Sequence, residues 1–184
     1  MNKKENVLSQ YTRKSIEQAV IRLLEYKGYN FLTIKEICEE TGISRSTFYE
    51  HYQDIDDFMI KFENKLARKI NEIFNSIDDF DSQFIKFFTF IRENKIIYKA
   101  FLLSNNTSFV APYMLKKMQE RFSQFAKTNG FYYTDREISY HLYYFGGGLK
   151  AICGYYLQND CEETPEQMAK ILHDEYVNNA KFSK

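Results

Sequence analysis

The 184-residue sequence predicts an all-α fold of about nine helices. Three observations carry that prediction. Apolar residues recur at helical spacing, and no segment sustains period-two alternation. There are only 7 Gly and 2 Pro, so the chain has little loop punctuation. Finally, helix-capping pairs stand in front of several of the periodic segments. The apolar fraction of 44%, with 17 Phe and 15 Tyr, is enough to build a core.

Taken in order, Ile16, Ala19, Val20, Leu23 and Leu24 form one face of a helix over residues 9–27. Gly28 suits a left-handed cap at its end. Thr33 and Glu36 form a capping box, so a second helix begins near Ile34, turns Ile37 and Cys38 inward and ends at Gly42. Ser44 caps a short third helix anchored by Phe48. Asp54 caps a fourth, with Phe58, Met59, Phe62, Leu66, Ile70, Ile73, Phe74 and Ile77 on one stripe. Asp81 or Ser82 opens a fifth helix through Arg92, residues 95–104 form a sixth, and residues 107–128 a seventh with Pro112 in its first turn. Thr134 with Glu137, and Thr164-Pro165 with Gln167, open the last two, which run to about Asn159 and Lys181. The expected domains are 1–53, a three-helix module, and 54–184, a second helical body.

Charge and cysteine usage narrow the function. The net charge is zero and the pI is about 6.8, which excludes coating of nucleic acid by bulk charge and leaves only a local basic patch. Lys3, Lys4, Arg13 and Lys14 supply one near the N-terminus. Cys38, Cys153 and Cys161 show no CxxC spacing, and three histidines complete no zinc framework. The thiols read as reduced and intracellular, and the acids beside Cys161 disfavour its thiolate. The N-terminus lacks the apolar core of a signal peptide. The most apolar run, residues 138–157, contains Ser139, His141, Lys150 and four glycines, too polar for a membrane span. The expected location is cytoplasmic. No phosphate-binding Gly loop, nucleophile elbow or metal cluster is present, so the sequence predicts neither an enzyme nor a cofactor.

The segment Thr33–Tyr52 reads as two helices joined by a tight turn, the second with Arg45, Ser46, Thr47 and Tyr49 on its outer faces and Ile43 and Phe48 within. Arginine can bond guanine bidentately in a major groove, and hydroxyls reach bases or phosphates. The helix starts at Thr33 and Ser44 can offer backbone N–H groups to phosphates. On spacing alone, Tyr49 and His51 could equally pack between helices.

Residues 12–59 resemble the N-terminal domain of TetR-type transcription regulators. The resemblance rests on Ile16 and Ala19, Lys27-Gly28-Tyr29, Thr33-Ile34-Lys35-Glu36-Ile37, Gly42 through Tyr49, and His51-Tyr52. It implies an all-helical homodimer that places each third helix in a major groove of a pseudo-palindromic operator in double-stranded DNA. On this mapping Lys35, Arg45 and Ser46 read bases. Thr47, Tyr49 and His51 match positions that usually hold phosphates or support the helix. The family often has a phosphate-binding lysine at the start of helix four. Here Ile55 takes that place among Asp54, Asp56 and Asp57, which implies modest affinity or compensation from Lys3, Lys4, Arg13 and Lys14.

Residues 145–168 are similar to a subgroup with a Gly-rich penultimate helix, a polar turn and Thr-Pro-Glu before a closing helix. There the last two helices form the dimer. The implied interface comprises Gly146, Gly147, Gly148, Tyr155, Tyr156, Ile171, Leu172 and Tyr176. Three consecutive glycines are costly in a helix unless another helix approaches closely; the alternative is a kink. The family also encloses an effector cavity, for which the candidates are Phe87, Ile91, Tyr98, Phe101, Met114, Met118, Phe122 and Tyr143, with His141 as a further polar contact. Such an aromatic stripe can also be plain core. The lining suits a small apolar or aromatic effector. The expected function is a ligand-responsive repressor, with an activator controlled by a protein partner as the alternative.

Overall fold

The structure, a computed structural model, describes residues 3–76, 78–103, 120, 123 and 133–175. Among these are eight α-helices and no strand: α1 (Lys3–Tyr26), α2 (Ile34–Thr41), α3 (Arg45–Tyr49), α4 (Ile55–Asn75), α5 (Phe80–Glu93), α6 (Lys95–Leu103), α7 (Asp135–Gln158) and α8 (Pro165–His173). The helix expected over 107–128, with Met114, Met118 and Phe122, and also Tyr176, lie outside the described residues, as does the side chain of Phe101.

The described chain divides into two compact units. One takes in residues up to Leu66 together with those from Ile96 to the end of α6. The other runs from Ala67 to Lys95 and resumes over residues 133–175. In the first unit, Ile16, Ala19 and Val20 of α1 are fully buried, as are Ile37 of α2, Phe48 of α3 and Phe58 of α4. In the second, Phe87, Phe88 and Ile91 of α5 are buried, together with Cys153, Tyr156 and Leu157 of α7 and Ala169 and Leu172 of α8. The Phe88 and Tyr156 rings meet edge to face with centroids 5.6 Å apart.

Local chemistry sets most helix starts. Thr134 and Glu137 form a full capping box, and Thr164 and Gln167 form another with Pro165 at the first helical position. Gly42 closes α2 in the left-handed region at φ 72°. Two expectations need correction. Gly28 is extended (φ −69°, ψ 159°), because the chain after α1 enters a short 3-10 turn over Tyr29–Phe31 and not a left-handed cap. α5 starts at Phe80, two residues before the later of the expected starts, because Asp79 is the cap, accepting the backbone N–H of Ser82 at 2.9 Å. α1 also begins at Lys3, earlier than its apolar period alone indicates.

α7 runs unbroken through Gly146, Gly147 and Gly148, so the glycines do not end the helix. After it, Asp160 and Cys161 both adopt positive φ (55° and 58°), and the Cys161 N–H bonds the Tyr156 carbonyl at 2.9 Å. Non-glycine residues in this region carry strain of order 1–2 kcal/mol each. The turn is held by burial of Cys161 and by the Tyr156 hydroxyl, which donates to the Glu163 carbonyl at 3.1 Å.

Leu172 is fully buried within its own chain. Leu172→Ala is expected to cost about 2–5 kcal/mol, read as a lower midpoint in chemical denaturation followed by circular dichroism.

Candidate nucleic-acid interface

α3 has five residues, and its start is organised by hydroxyls. Ser44 Oγ accepts the backbone N–H of Thr47 at 3.1 Å and lies 2.7 Å from Ser46 Oγ and 2.9 Å from Thr47 Oγ1. Phe48 points inward and is fully buried, whereas Ser44, Arg45, Ser46 and Tyr49 are exposed and Thr47 is half-buried. One side of this short helix is therefore core, and the other presents a guanidinium, hydroxyls and a phenol to solvent.

α2 is fixed just as locally. Thr33 Oγ1 accepts the Glu36 N–H at 3.3 Å and donates to Glu36 Oε2 at 2.5 Å. Lys27 also reaches Glu36 at 2.5 Å, and the hydrogen bonds from Lys27 and Thr33 hold that carboxyl below its ordinary range. Lys35 is exposed, and its ion pair to Glu39 is long at 3.7 Å, so little holds it back from another anion. The caps at Thr33 and Ser44 each use one N–H of a helix start, which reduces what those starts can offer a phosphate.

His51 lies just beyond α3 and is half-buried. Arg13 Nε, on α1, donates to its Nδ1 at 3.5 Å, which leaves Nε2 as the position of the ring proton. Burial, and then the Arg13 charge, hold the imidazole below its ordinary pKa. The lowered pKa favours the neutral ring, with Nε2–H as its donor, at the end of α3. Beneath it Tyr52 is buried, and burial followed by the neighbouring Glu17 pushes its phenol up to about 12.

The acidic start of α4 has a structural role. Asp54 Oδ1 accepts the Asp57 N–H at 2.7 Å, Tyr29 donates its hydroxyl to Asp56, and Asp57 accepts Lys61 at 2.8 Å and the Gln53 N–H at 2.9 Å. Asp57 is held below its ordinary range chiefly by Lys61. Lys61 also donates to the His51 carbonyl at 3.2 Å. The links from Arg13 and Lys61 to His51 were not legible in sequence, since nothing local marks contacts between elements 38 and 10 residues apart.

The C-terminal candidates fall into two groups. Tyr143 and Tyr155 stand on α7 at 70% and 68% exposure, in helical register with the exposed Gly147, and Ile171 of α8 is 50% exposed; Tyr140 and Tyr144, which the sequence did not single out, share that α7 face at 62% and 75%. Tyr156 and Leu172, expected at the same interface, are 1% and 0% exposed. They sit on the opposite faces of their helices and fill the chain's own core. Tyr143 stands apart from the buried Phe87 and Ile91, with which the sequence groups it as a pocket residue. Tyr98 is buried in the first unit, and His141 is exposed beside Tyr133 with ring centroids 4.9 Å apart. Among the described residues no group of His, Cys, Asp or Glu is arranged to hold a metal ion, and no described helix is long and apolar enough to cross a membrane.

The family described as bacterial regulatory proteins, tetR family, matches residues 16–61, and the transcriptional regulator C-terminal region of that group matches residues 78–175. The chain belongs to the TetR family of transcriptional regulators. This TetR-family chain is 24% identical over 156 residues to the HTH-type dhaKLM operon transcriptional activator DhaS of Lactococcus lactis, covering 83% of this chain and 81% of that one. Among solved structures it is similar to the fatty acid degradation regulator FadR of Bacillus halodurans (17% identity, TM-score 0.68, 88% and 92% of the two chains). It is similar also to FadR of Bacillus subtilis in complex with stearoyl-CoA (12% identity, TM-score 0.65, 88% and 95%). At these identities the structural likeness shows the fold. Ile55, where the family often has a lysine, is half-buried at the first position of α4.

His51 is expected to titrate below the ordinary imidazole pKa of about 6.5, followed by NMR of its ring protons. Its folded pKa is depressed, so its contribution to stability is present above the unfolded pKa and is lost as pH falls through the folded one. A midpoint at or above the ordinary value would contradict the Arg13 contact.

Proposed function

We propose that this regulator binds a pseudo-palindromic operator as a homodimer, with one α3 in each major groove, and that it represses until an apolar effector engages the C-terminal unit. The observation that carries the reading is the division of α3 into a buried Phe48 face and an outer face bearing Arg45, Ser46 and Tyr49. Arg45 and Ser46, with Lys35 from α2, are the proposed base readers. Thr33, Ser44, Thr47, Tyr49 and His51 hold the backbone or the helix in register. The outward tyrosine face of α7, with Gly147 in its midst, together with Ile171, is the proposed contact with the second copy.

Burial of Phe87 and Ile91 supports an apolar C-terminal interior, and the stearoyl-CoA complex of the B. subtilis neighbour supports an effector with a large apolar part. Such an effector releases DNA only if it binds the DNA-incompetent state more tightly. A second reading, an activator controlled by a protein partner, is favoured by the name of the L. lactis relative, a transcriptional activator. A reporter driven by the bound promoter separates the two, since deletion of the regulator raises expression for a repressor and lowers it for an activator.

The test of the main reading is titration of the purified protein against its own upstream DNA and a scrambled duplex, backed by selection from random duplexes. Sequence-dependent binding at two protomers per site is the expected result; no preference for any duplex would overturn it. Arg45→Ala is expected to cost about 1–3 kcal/mol of specific binding while leaving the sedimentation behaviour unchanged. Among the described residues a Cβ built on Gly147 meets no atom within 4 Å, so Gly147→Leu is expected to keep native circular dichroism and thermal stability and yet to sediment as a monomer.

A further inference from the structure

Resting on the DNA-binding reading, the charges of the first unit point to a residue outside the recognition helix. Most of its cations are already engaged by acids. Arg22 pairs with Glu40 at 2.7 Å, Lys27 with Glu36 at 2.5 Å, Lys61 with Asp57 at 2.8 Å and Lys65 with Glu17 at 2.6 Å. Lys35 has its long contact to Glu39. Among the residues whose side chains are described, Arg13, Lys14 and Arg45 make no such pair. Glu17, one helical turn beyond Arg13 and its natural local partner, is held instead by Lys65.

Of these three cations Arg13 has a defined position next to α3. Its Nε–H is directed at His51 Nδ1 at 3.5 Å, across 38 residues of sequence. A guanidinium has five N–H donors in a planar fork, so one bond to the imidazole leaves the terminal amino groups available for a bidentate anion contact. The contact also leaves the His51 ring proton on Nε2, free of the Arg13 bond. At the start of α4, by contrast, Asp54, Asp56 and Asp57 bring negative charge, and Ile55 stands at the first helical position.

We propose that Arg13 is a phosphate-binding residue, one that, seated on His51, supplies at the end of α3 the backbone charge that the acidic start of α4 does not. Arg13 and His51 Nε2–H then act on the same stretch of the DNA strand, the first as a charged fork and the second as a neutral donor. Base discrimination stays with α3.

The experiment is a salt series with the full chain on its selected duplex and on a scrambled duplex, using wild type, Arg13→Gln and Arg13→Lys, each checked for native thermal unfolding. Loss of one phosphate contact flattens the slope of log affinity against log salt by about 0.9. Arg13→Gln is expected to show that change and to weaken both duplexes by the same factor; Arg13→Lys is expected to keep the wild-type slope. An unchanged slope in Arg13→Gln overturns the proposal. So does a loss confined to the selected duplex at constant slope, which would make Arg13 a positioning residue for His51 only. Failure of the wild type to bind any duplex overturns the DNA-binding reading itself, and is distinct from both.

Discussion

Phe48 is the constraint on which the DNA-facing surface depends. A helix of five residues cannot persist by its own hydrogen bonds, because nucleation costs more than one turn returns. α3 is held from below: Phe48 is fully buried, its ring 5.6 Å from Tyr52, Tyr52 is 5.0 Å from Phe58, and Phe58 is 5.5 Å from Phe62. This chain of rings continues from α3 along the first two turns of α4. Burying an aromatic side chain of this size is worth a few kcal/mol, more than the hydroxyl network at Ser44 can supply. The outer residues of α3 are therefore free to be chosen for what they touch.

The same unit shows how a neutral protein presents a basic surface. Acids and bases are nearly balanced overall, so the local pattern depends on which cations are already paired. Arg22, Lys27, Lys61 and Lys65 serve mainly to tie helices together or to steady a turn, and exposed pairs of this kind contribute little stability each. Their effect on function is subtractive: they remove charge from the surface and leave Arg13, Lys14 and Arg45. Asp54, Asp56 and Asp57 follow the same logic from the other side. Each accepts a hydrogen bond that shapes the entry to α4, so their charge near the DNA face is a consequence of how that entry is built.

How much was legible in sequence follows the range of the interactions. Caps are local, and Thr33, Ser44, Thr134 and Thr164 all cap the helices expected of them, with Gly42 closing α2. The helix-turn-helix segment Thr33–Tyr52 was legible because its turn chemistry and inward residues lie within twenty residues of one another. Gly28 was misread because a glycine after a helix fits both a left-handed cap and an extended entry to a 3-10 turn, and the choice depends on how Tyr29 is held by its bond to Asp56. The start of α5 was placed too late because Asp81 and Ser82 offer the same capping chemistry as Asp79. On α7 and α8 the period shows that the helices are amphipathic but not which apolar side faces the chain's own core. Tyr155 and Tyr156 are neighbours in sequence and lie on different faces, one exposed and one buried. The Arg13–His51 contact was beyond reach for a further reason: it joins two polar residues with no pattern around either.

The glycine run gains its meaning from the same two faces. Glycine costs up to about 1 kcal/mol relative to alanine inside a helix, and α7 carries three in succession without a break. Among the described residues nothing at Gly146 or Gly147 offsets that cost, since a Cβ at either would meet no described atom within 4 Å. Close packing among the described residues therefore does not account for these two glycines. They lie between tyrosines at 140, 143, 144 and 155 that stand in solvent, an arrangement that makes a shallow seat between aromatic ridges. Apolar rings left in water and backbone left bare are both unfavourable for an isolated chain. In the proposed homodimer, a second copy of the same face, related by a twofold axis, would cover the rings and offset both costs in one contact.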